Sequence, residues 1–174
     1  MLTVLIVIAA LIAAALAGIA MKPNTFRISR STVINAPAAA IYPHVADFHK
    51  WQGWSPWEEL DPGMNRTFSG AESGAGAAYA WEGNKKVGSG HMLITAASPQ
   101  NGVSLNLEFL RPMKASNVTE INFTAQGDAT HVDWVMHGPQ PFMSKLFGTF
   151  MNIDKMVGAD FERGLAKLKA AAEG

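Results

Sequence analysis

The clearest structural pattern in the sequence runs from Val103 to Met136 and reads VSLNLEFLRPMKASNVTEINFTAQGDATHVDWVM. Apolar residues occupy every second position in three successive runs, and mostly polar residues stand between them. A period of two is typical of strands whose two faces meet different surroundings. Gly127–Asp128 has the composition of a tight turn between two of these strands. The stretch therefore predicts an antiparallel meander with one apolar face.

The strand pattern extends towards the N-terminus. Residues 77–82 precede Gly83–Asn84, which is a hairpin signal, and residues 86–96 resume the alternation. Residues 25–34 also alternate and predict the first strand. We expect the remaining strands to follow one another between residues 66 and 138.

Two short helices are predicted between the first strand and the meander. Asn35 is a good N-cap, Pro37 suits the first helical position, and Ile41 and Val45 follow at a spacing of four. Asp47 can cap a second short helical turn. Both helices would follow directly on the first strand.

The C-terminal part has a helical period instead. From Met143 to Leu168 apolar residues recur at steps of three or four, with charged residues mostly between them, which predicts one long amphipathic helix. Gly148, Gly158 and Gly164 inside it each cost up to about 1 kcal/mol relative to Ala, so we expect close packing or bending there. The order of elements predicts an α+β fold in which a curved antiparallel sheet wraps around this helix.

Residues 1–21 contain no charged residue and are mostly Leu, Ile, Val and Ala. As a helix they would be about 31 Å long, and the hydrocarbon core of a bilayer is about 30 Å thick. We therefore expect a transmembrane anchor followed by one domain, residues 22–174. The alternatives are a cleaved signal peptide, since Ala15-Leu16-Ala17 offers a small-residue site, and a buried helix, which the uniformly apolar pattern disfavours.

The charges that flank this segment predict its orientation. Lys22, Arg27 and Arg30 follow the segment, and no basic residue precedes it. By the positive-inside rule, the chain is expected to be a single-pass membrane protein with its C-terminal domain in the cytoplasm.

Composition argues against several classes of function. Lys and Arg total 14 and Asp and Glu total 14, so there is no basic excess to neutralise nucleic-acid phosphates. The absence of Cys removes thiolate catalysis and thiolate metal sites. His44, Asp47 and His49 are close in sequence, but His49 does not share a helical face with the other two, so no metal site and no cofactor are predicted.

Several local motifs resemble a known family. They are Asn35-Ala36-Pro37, Asp47-Phe48, Trp51 with Trp54-Ser55-Pro56-Trp57, Tyr79-Ala80-Trp81 with Gly83-Asn84, Gly88-Ser89-Gly90-His91-Met92, and residues 156–162 with Gly164-Leu165. Together with the order of elements, they resemble bacterial SRPBCC proteins with an N-terminal anchor. These proteins belong to the START-like superfamily, which includes the pollen allergens and polyketide cyclase or dehydrase proteins.

The resemblance covers residues 22–174 and implies a helix-grip fold with a cavity between the sheet and the long helix. Members of the superfamily bind lipids, steroids, hormones or polyketides there, and only some catalyse a reaction. The resemblance therefore implies a hydrophobic small-molecule ligand. It carries no catalytic motif over to this chain.

Strand parity and the helical stripe identify the side chains expected to face such a cavity. The candidate ligand-binding residues are Trp54, Tyr79, Trp81, Met92, Phe109, Phe123, Trp134, Met136, Phe150, Asp154, Val157 and Phe161. An apolar and aromatic lining is usual in small-molecule pockets. The same residues could instead simply fill the core.

The tryptophan-rich segment allows two interpretations. Trp51, Trp54 and Trp57 recur at steps of three around Ser55 and Pro56. Their large rings with one N–H suit a cavity mouth, a bilayer contact or a protein interface. Alternatively, they attach the short helices to the edge of the sheet.

Asp154 is the best candidate for an acid or base inside the cavity, because it lies on or beside the apolar stripe of the last helix. Arg30, on an inward position of the first strand, could pair with it. The leading hypothesis is membrane-tethered binding of a lipid-like, isoprenoid-like or polyketide-like molecule. A cyclase or dehydrase type of enzyme and a protein-interaction module are the alternatives, and no protein partner is indicated.

Overall fold

The computed structural model describes residues 1–174 and is built around a seven-stranded antiparallel sheet. Its strands are β1 (Thr25–Ile34), β2 (Asn65–Gly70), β3 (Ala77–Glu82), β4 (Ser89–Ser98), β5 (Gly102–Arg111), β6 (Ala115–Gln126) and β7 (Ala129–Pro139). The strand order is β1-β7-β6-β5-β4-β3-β2, so each strand from β2 onward pairs with the next one in the chain. The predicted meander is confirmed, and β1 extends it beyond β7.

Helix α1 (Leu2–Ala20) precedes the sheet, and α2 (Ala38–Ala46) follows β1. The predicted N-cap of α2 is wrong: Pro37 occupies the N-cap, and the backbone N–H of Asn35 donates to Glu173 Oε1 at 2.6 Å. The backbone of Asn35 is thus bound to the C-terminal end of the chain. Two 3-10 helices follow, Phe48–Gly53 and Pro56–Glu59, and Asp47 caps the first by accepting from the His49 backbone N–H at 2.9 Å.

The C-terminal region forms two helices, α3 (Phe142–Phe150) and α4 (Ile153–Glu173), where one was predicted. Met151 is extended, and the Asn152 side chain caps α4 by accepting from the Lys155 backbone N–H at 2.9 Å. An Asn that caps a new helix competes with continuation of the preceding one, which explains the break. Of these two helices, α4 is the one that packs on the sheet.

Close packing explains two of the glycines in α4. A Cβ atom at Gly164 would lie 2.6 Å from Trp134 Cζ3, and one at Gly158 would lie 2.1 Å from Arg30 Nη2. Neither residue interrupts the helix, because α4 is continuous from Ile153 to Glu173.

The core lies between the concave face of the sheet, α2, the 3-10 helices and α4. Its largest fully buried side chains are Trp54, Trp134 and Phe161, and no residue of α1 belongs to the core cluster. α1 contacts α3, where the Lys145 ammonium donates to the Ala20 carbonyl at 3.1 Å. The core is therefore complete without α1, which is long and apolar enough to cross a membrane.

Candidate ligand-binding cavity

An apolar cavity of about 240 Å³ lies between the concave face of the sheet and α4. Strands β3 to β7 form its floor, α4 covers it, and the two 3-10 helices and the β3–β4 connection close its side. Of its 17 lining residues, 13 are hydrophobic. The cavity has the position and composition expected of a site for a hydrophobic small molecule.

One wall consists of closely packed aromatic rings. Trp134 of β7 stacks on Phe161 of α4 with ring centroids 4.4 Å apart and planes 3° from parallel. Trp57 meets both rings edge-on, at 5.8 Å from Trp134 and 6.1 Å from Phe161. Gly164 makes this stack possible, because any larger residue there would overlap the Trp134 ring. Packing on both sides fixes the orientation of the Trp134 indole.

The opposite wall is formed by aromatic residues of β3 and β5. Tyr79 and Trp81 stack at 6.1 Å, and Trp81 meets Phe109 edge-on at 5.7 Å. Trp81 Nε1 donates to the Val87 carbonyl at 3.0 Å. The ring crosses Gly90 on β4, where a Cβ atom would lie 2.5 Å from it. The wall is held by a hydrogen bond as well as by packing.

A buried carboxylate stands at one end of the cavity. Glu58, only 8% exposed, accepts a hydrogen bond from the Tyr79 hydroxyl at 2.7 Å and another from Arg66 Nε at 2.8 Å. Arg66 also donates to the Met64 carbonyl at 2.9 Å. The carboxylate is therefore paired with one charged and one neutral donor, as a buried charge requires.

This arrangement shifts two pKa values. Burial raises the pKa of Tyr79 well above its ordinary value, and the hydrogen bond to Glu58 raises it further. Burial lowers the pKa of Arg66, but the hydrogen bond and charge attraction from Glu58 outweigh it and leave that pKa raised. Tyr79 is thus a neutral hydrogen-bond donor and Arg66 a permanent cation at physiological pH.

Glu58 was not among the residues predicted from the sequence. It lies in a short 3-10 helix next to Glu59, and no local pattern distinguishes the two acidic residues. Their partners separate them, because Glu58 meets Tyr79 while Glu59 meets Lys167 at the surface. The signal that identifies Glu58 is therefore tertiary.

Two polar groups in the lining have no hydrogen-bond partner within the protein. They are Thr119 Oγ1 on β6 and Trp134 Nε1 on β7. Thr119 is 4% exposed and Trp134 is 2% exposed.

Most of the residues predicted from parity line this cavity. They are Tyr79, Trp81, Met92, Phe109, Trp134, Met136, Val157 and Phe161. The lining also includes residues that were not among the candidates, namely Trp51, Ser55, Trp57, Glu58, Met64, Lys86, Val87, Leu107 and Thr119. The strand residues among them share one face of the sheet because paired strands present the same parity to the same side.

The other four candidates lie outside the lining. Trp54 is fully buried and donates Nε1 to the His44 carbonyl at 2.9 Å. Phe123 is buried farther along β6, in the core. Phe150 is 82% exposed at the end of α3, because the helix ends there and does not continue over the sheet.

Asp154 also lies outside the cavity, and its expected inward orientation is wrong. Its side chain is 60% exposed and forms the predicted pair with Arg30, with Nη2–Oδ2 at 3.0 Å and Nη1–Oδ1 at 3.3 Å. Arg30 also meets Glu162 at 2.8 Å. The pair joins β1 to α4, where the Arg30 guanidinium lies against Gly158.

The tryptophan-rich segment attaches the 3-10 helices to the core. Trp51 Nε1 donates to the Val45 carbonyl at 3.1 Å, and the rings of Trp51 and Trp54 are 4.8 Å apart. Since both rings are buried, they do not form an exposed contact surface. Trp54 therefore gives no support to the protein-interaction alternative, and Trp57 lines the cavity.

A larger groove of about 1230 Å³ lies outside the cavity, between α3, the β5–β6 turn and the ends of β1 and β7. Phe150 and Asp154 are among its lining residues. Only 8 of its 21 lining residues are hydrophobic, and it is more open than the inner cavity. Phe109 and Met136 line both spaces and thus separate them. The inner space is thus the less open and more apolar of the two.

The histidines do not assemble a metal site. His49 Nδ1 lies 3.0 Å from Asp47 Oδ1, and no group of three His, Cys, Asp or Glu side chains is placed to hold an ion. Burial lowers the pKa of His44, and the charge of Lys50 lowers it further. Neither His44 nor His49 lines the inner cavity.

Residues 25–173 match the model of a family described as polyketide cyclase / dehydrase and lipid transport. No curated protein matches the chain in sequence. Among solved structures, protein CV1439 from Chromobacterium violaceum is similar at 16% identity and a TM-score of 0.58, over 87% of this chain and 99% of that one.

Two further structures show the same architecture. Ara h 8.0201 matches 85% of this chain and 97% of its own, at 8% identity and a TM-score of 0.54. The di-domain ARO/CYC StfQ from the steffimycin biosynthetic pathway matches 86% of this chain and 51% of its own, at 8% identity and a TM-score of 0.60. The predicted helix-grip fold is confirmed.

Proposed function

The chain belongs to the polyketide cyclase / dehydrase and lipid transport family, and we propose that it binds a hydrophobic small molecule between the sheet and α4 while α1 holds it at a membrane. The observation that carries the proposal is the apolar cavity, whose lining is hydrophobic at 13 of 17 positions. Burial of apolar ligand surface there would contribute about 25 cal/mol per Å², before the costs of binding.

Membrane attachment is supported by the exposure and composition of α1. Its 19 residues have a mean hydropathy of 2.8, and almost all of its surface is exposed. An exposed apolar helix of this length fits the bilayer core. The basic residues that follow it, Lys22, Arg27 and Arg30, favour a domain in the cytoplasm.

The position and the exposed face of α3 support the proposal that a bilayer lies next to the outer groove. Lys22 Nζ donates to Thr149 Oγ1 at 2.8 Å, so α3 lies beside the end of α1. α3 also leaves large apolar side chains exposed, namely Phe142, Met143, Phe147 and Phe150. An amphipathic helix at the end of an anchor suits the interface between headgroups and acyl chains. A ligand from the bilayer would then reach the groove first and pass Phe109 and Met136 into the cavity.

The experiment is to express the full chain, extract the purified protein and identify the extracted molecules by mass spectrometry. Val157→Phe should fill the cavity and remove the ligand, because Val157 of α4 lines it. Val33→Phe is the matched control, since Val33 is exposed on β1. Absence of any hydrophobic molecule from the wild-type extract, or its equal recovery with Val157→Phe, would contradict the proposal.

A cyclase or dehydrase type of enzyme is the second candidate, and the observation that favours it is the carboxylate of Glu58 in the cavity wall. Binding is the better-supported function because both Glu58 oxygens already accept hydrogen bonds. The raised pKa of Tyr79 also moves this hydroxyl away from the range of a general acid at neutral pH. Conversion of the extracted molecule by wild-type protein but not by Glu58→Gln would favour the enzyme.

A further inference from the structure

Two buried polar atoms without a hydrogen-bond partner belong to residues that line the cavity. Thr119 pairs with Met136 across β6 and β7, and Ile121 pairs with Trp134. Thr119 and Trp134 are therefore diagonal neighbours of the same parity, roughly 7–8 Å apart. Both residues line the cavity, and neither Thr119 Oγ1 nor Trp134 Nε1 has a partner in the protein.

A buried polar group without a partner is unfavourable, and most such groups in folded proteins are paired. Every other polar atom in the cavity wall that is equally buried has a partner in the protein, as the Tyr79 hydroxyl does with Glu58. The cross-strand partners of Thr119 are Leu105 and Met136. The Leu105 side chain has no hydrogen-bonding group, and the Met136 thioether is only a weak acceptor. The two exceptions thus coincide with the site of the proposed ligand.

The indole N–H of Trp134 is also held in place. Phe161 stacks on its ring, and Trp54 and Trp57 meet it edge-on at 5.2 Å and 5.8 Å. Gly164 leaves no space on the α4 side into which the ring could turn. A donor with a fixed direction loses little conformational entropy when it binds a ligand.

We infer that the ligand carries a neutral carbonyl oxygen that accepts hydrogen bonds from Trp134 Nε1 and Thr119 Oγ1; this inference rests on the proposed binding function. The indole N–H can only donate and the Thr hydroxyl can donate, while a carbonyl oxygen has two lone pairs to accept both. An anionic group is disfavoured because the Glu58 carboxylate lines the same cavity and Arg66 is already paired with it. The ligand class is a mostly apolar ketone, aldehyde or ester.

The test compares two probes of nearly equal shape, 2-acetylnaphthalene and 2-ethylnaphthalene, which differ by a carbonyl oxygen. The full chain in lipid nanodiscs is titrated with each probe by calorimetry, and empty nanodiscs serve as the blank. Thr119→Val removes the hydroxyl at almost constant volume, and Thr119→Ser keeps it. The comparison of probes and variants cancels the dehydration of the carbonyl group.

We expect Thr119→Val to lower the affinity for 2-acetylnaphthalene by about threefold to tenfold. The affinity for 2-ethylnaphthalene should stay unchanged or rise slightly. Thr119→Ser should keep the preference of the wild type. Without ligand, Thr119→Val should unfold at a higher temperature, because it removes a buried unpaired hydroxyl. This combination of higher stability with weaker ketone binding would not arise from a purely structural hydroxyl.

The outcomes separate the two proposals. If both probes bind and Thr119→Val leaves their affinity ratio unchanged, the carbonyl contact is refuted while ligand binding stands. If Thr119→Val lowers the affinity for both probes equally, the hydroxyl affects only the shape of the cavity and the inference is again refuted. If neither probe binds, the cavity does not accept apolar molecules of this size, and both the binding function and the inference are contradicted.

Discussion

The replacement Glu58→Ala should destabilise the fold strongly, although a carboxylate of identical type stands next to it. The change removes the acceptor of the Tyr79 hydroxyl and the charge partner of Arg66, whose bonds to Glu58 are 2.7 Å and 2.8 Å long. Hydrogen bonds to charged groups contribute about 1.5–3 kcal/mol each. Removal of one member of a buried ion pair costs about 3–5 kcal/mol. We therefore expect a loss of about 3–5 kcal/mol in the free energy of unfolding.

The matched control is Glu59→Ala. Glu59 pairs with Lys167, but its side chain is 62% exposed, and exposed ion pairs contribute only about 0–1 kcal/mol. Glu58→Gln should fall between the two, because the amide oxygen still accepts from Tyr79 while the charge opposite Arg66 is lost.

The assay is urea unfolding of residues 22–174, followed by tryptophan fluorescence. This part of the chain contains the whole core cluster, so α1 is not needed for the measurement. The free-energy difference comes from the shift of the midpoint at constant slope. If Glu58→Ala were no more destabilising than Glu59→Ala, the carboxylate would not be the buried partner of Tyr79 and Arg66, and the reasoning would be refuted.

Three further predictions concern the helices and the tyrosine. Gly164→Ala should destabilise by up to about 2 kcal/mol, since overpacking of about 1–3 kcal/mol is offset in part by a gain in helix propensity of about 1 kcal/mol. Gly158→Ala, whose Cβ would meet only the movable end of the Arg30 side chain, should be nearly neutral in the same unfolding assay. The pKa of Tyr79 is raised in the folded state, so the neutral hydroxyl contributes its full stabilisation of the fold below a pH of about 10, and this contribution is lost as the pH rises through the folded-state pKa. The phenolate absorbance, measured as a difference from Tyr79→Phe, should therefore appear at higher pH in native than in urea-unfolded protein. Coincident titration curves would contradict this. Phe147→Ser should weaken flotation of residues 22–174 with lipid vesicles, whereas Leu93→Ser on the outer face of the sheet should not; equal effects would argue against a membrane contact through α3.

Much of the cavity could be predicted from sequence because strand alternation is a local property. Tyr79 and Trp81, for example, share parity, and every strand that pairs in register adds residues to the same face. Phe150 shows where this reasoning stopped working: its spacing fits a continuous helix, but Asn152 starts a new one. The predicted orientation of Asp154 was also wrong. Asp154 lies at the edge of the apolar stripe, and the stripe alone does not show whether a side chain at its edge points to the cavity or to solvent.

The meander, the amphipathic character of the C-terminal region and the apolar segment of residues 1–21 follow from the sequence alone, because they depend on periods of two and of 3.6 and on uniform hydropathy, all readable over a few turns or strands. Which polar groups belong to the cavity lining depends instead on how distant segments pack together. The partners of Glu58 are 8 and 21 residues away, and Thr119 and Trp134 are unpaired only because of what surrounds them across the sheet. Burial and pairing depend on residues far apart in the chain, and no local pattern contains that information.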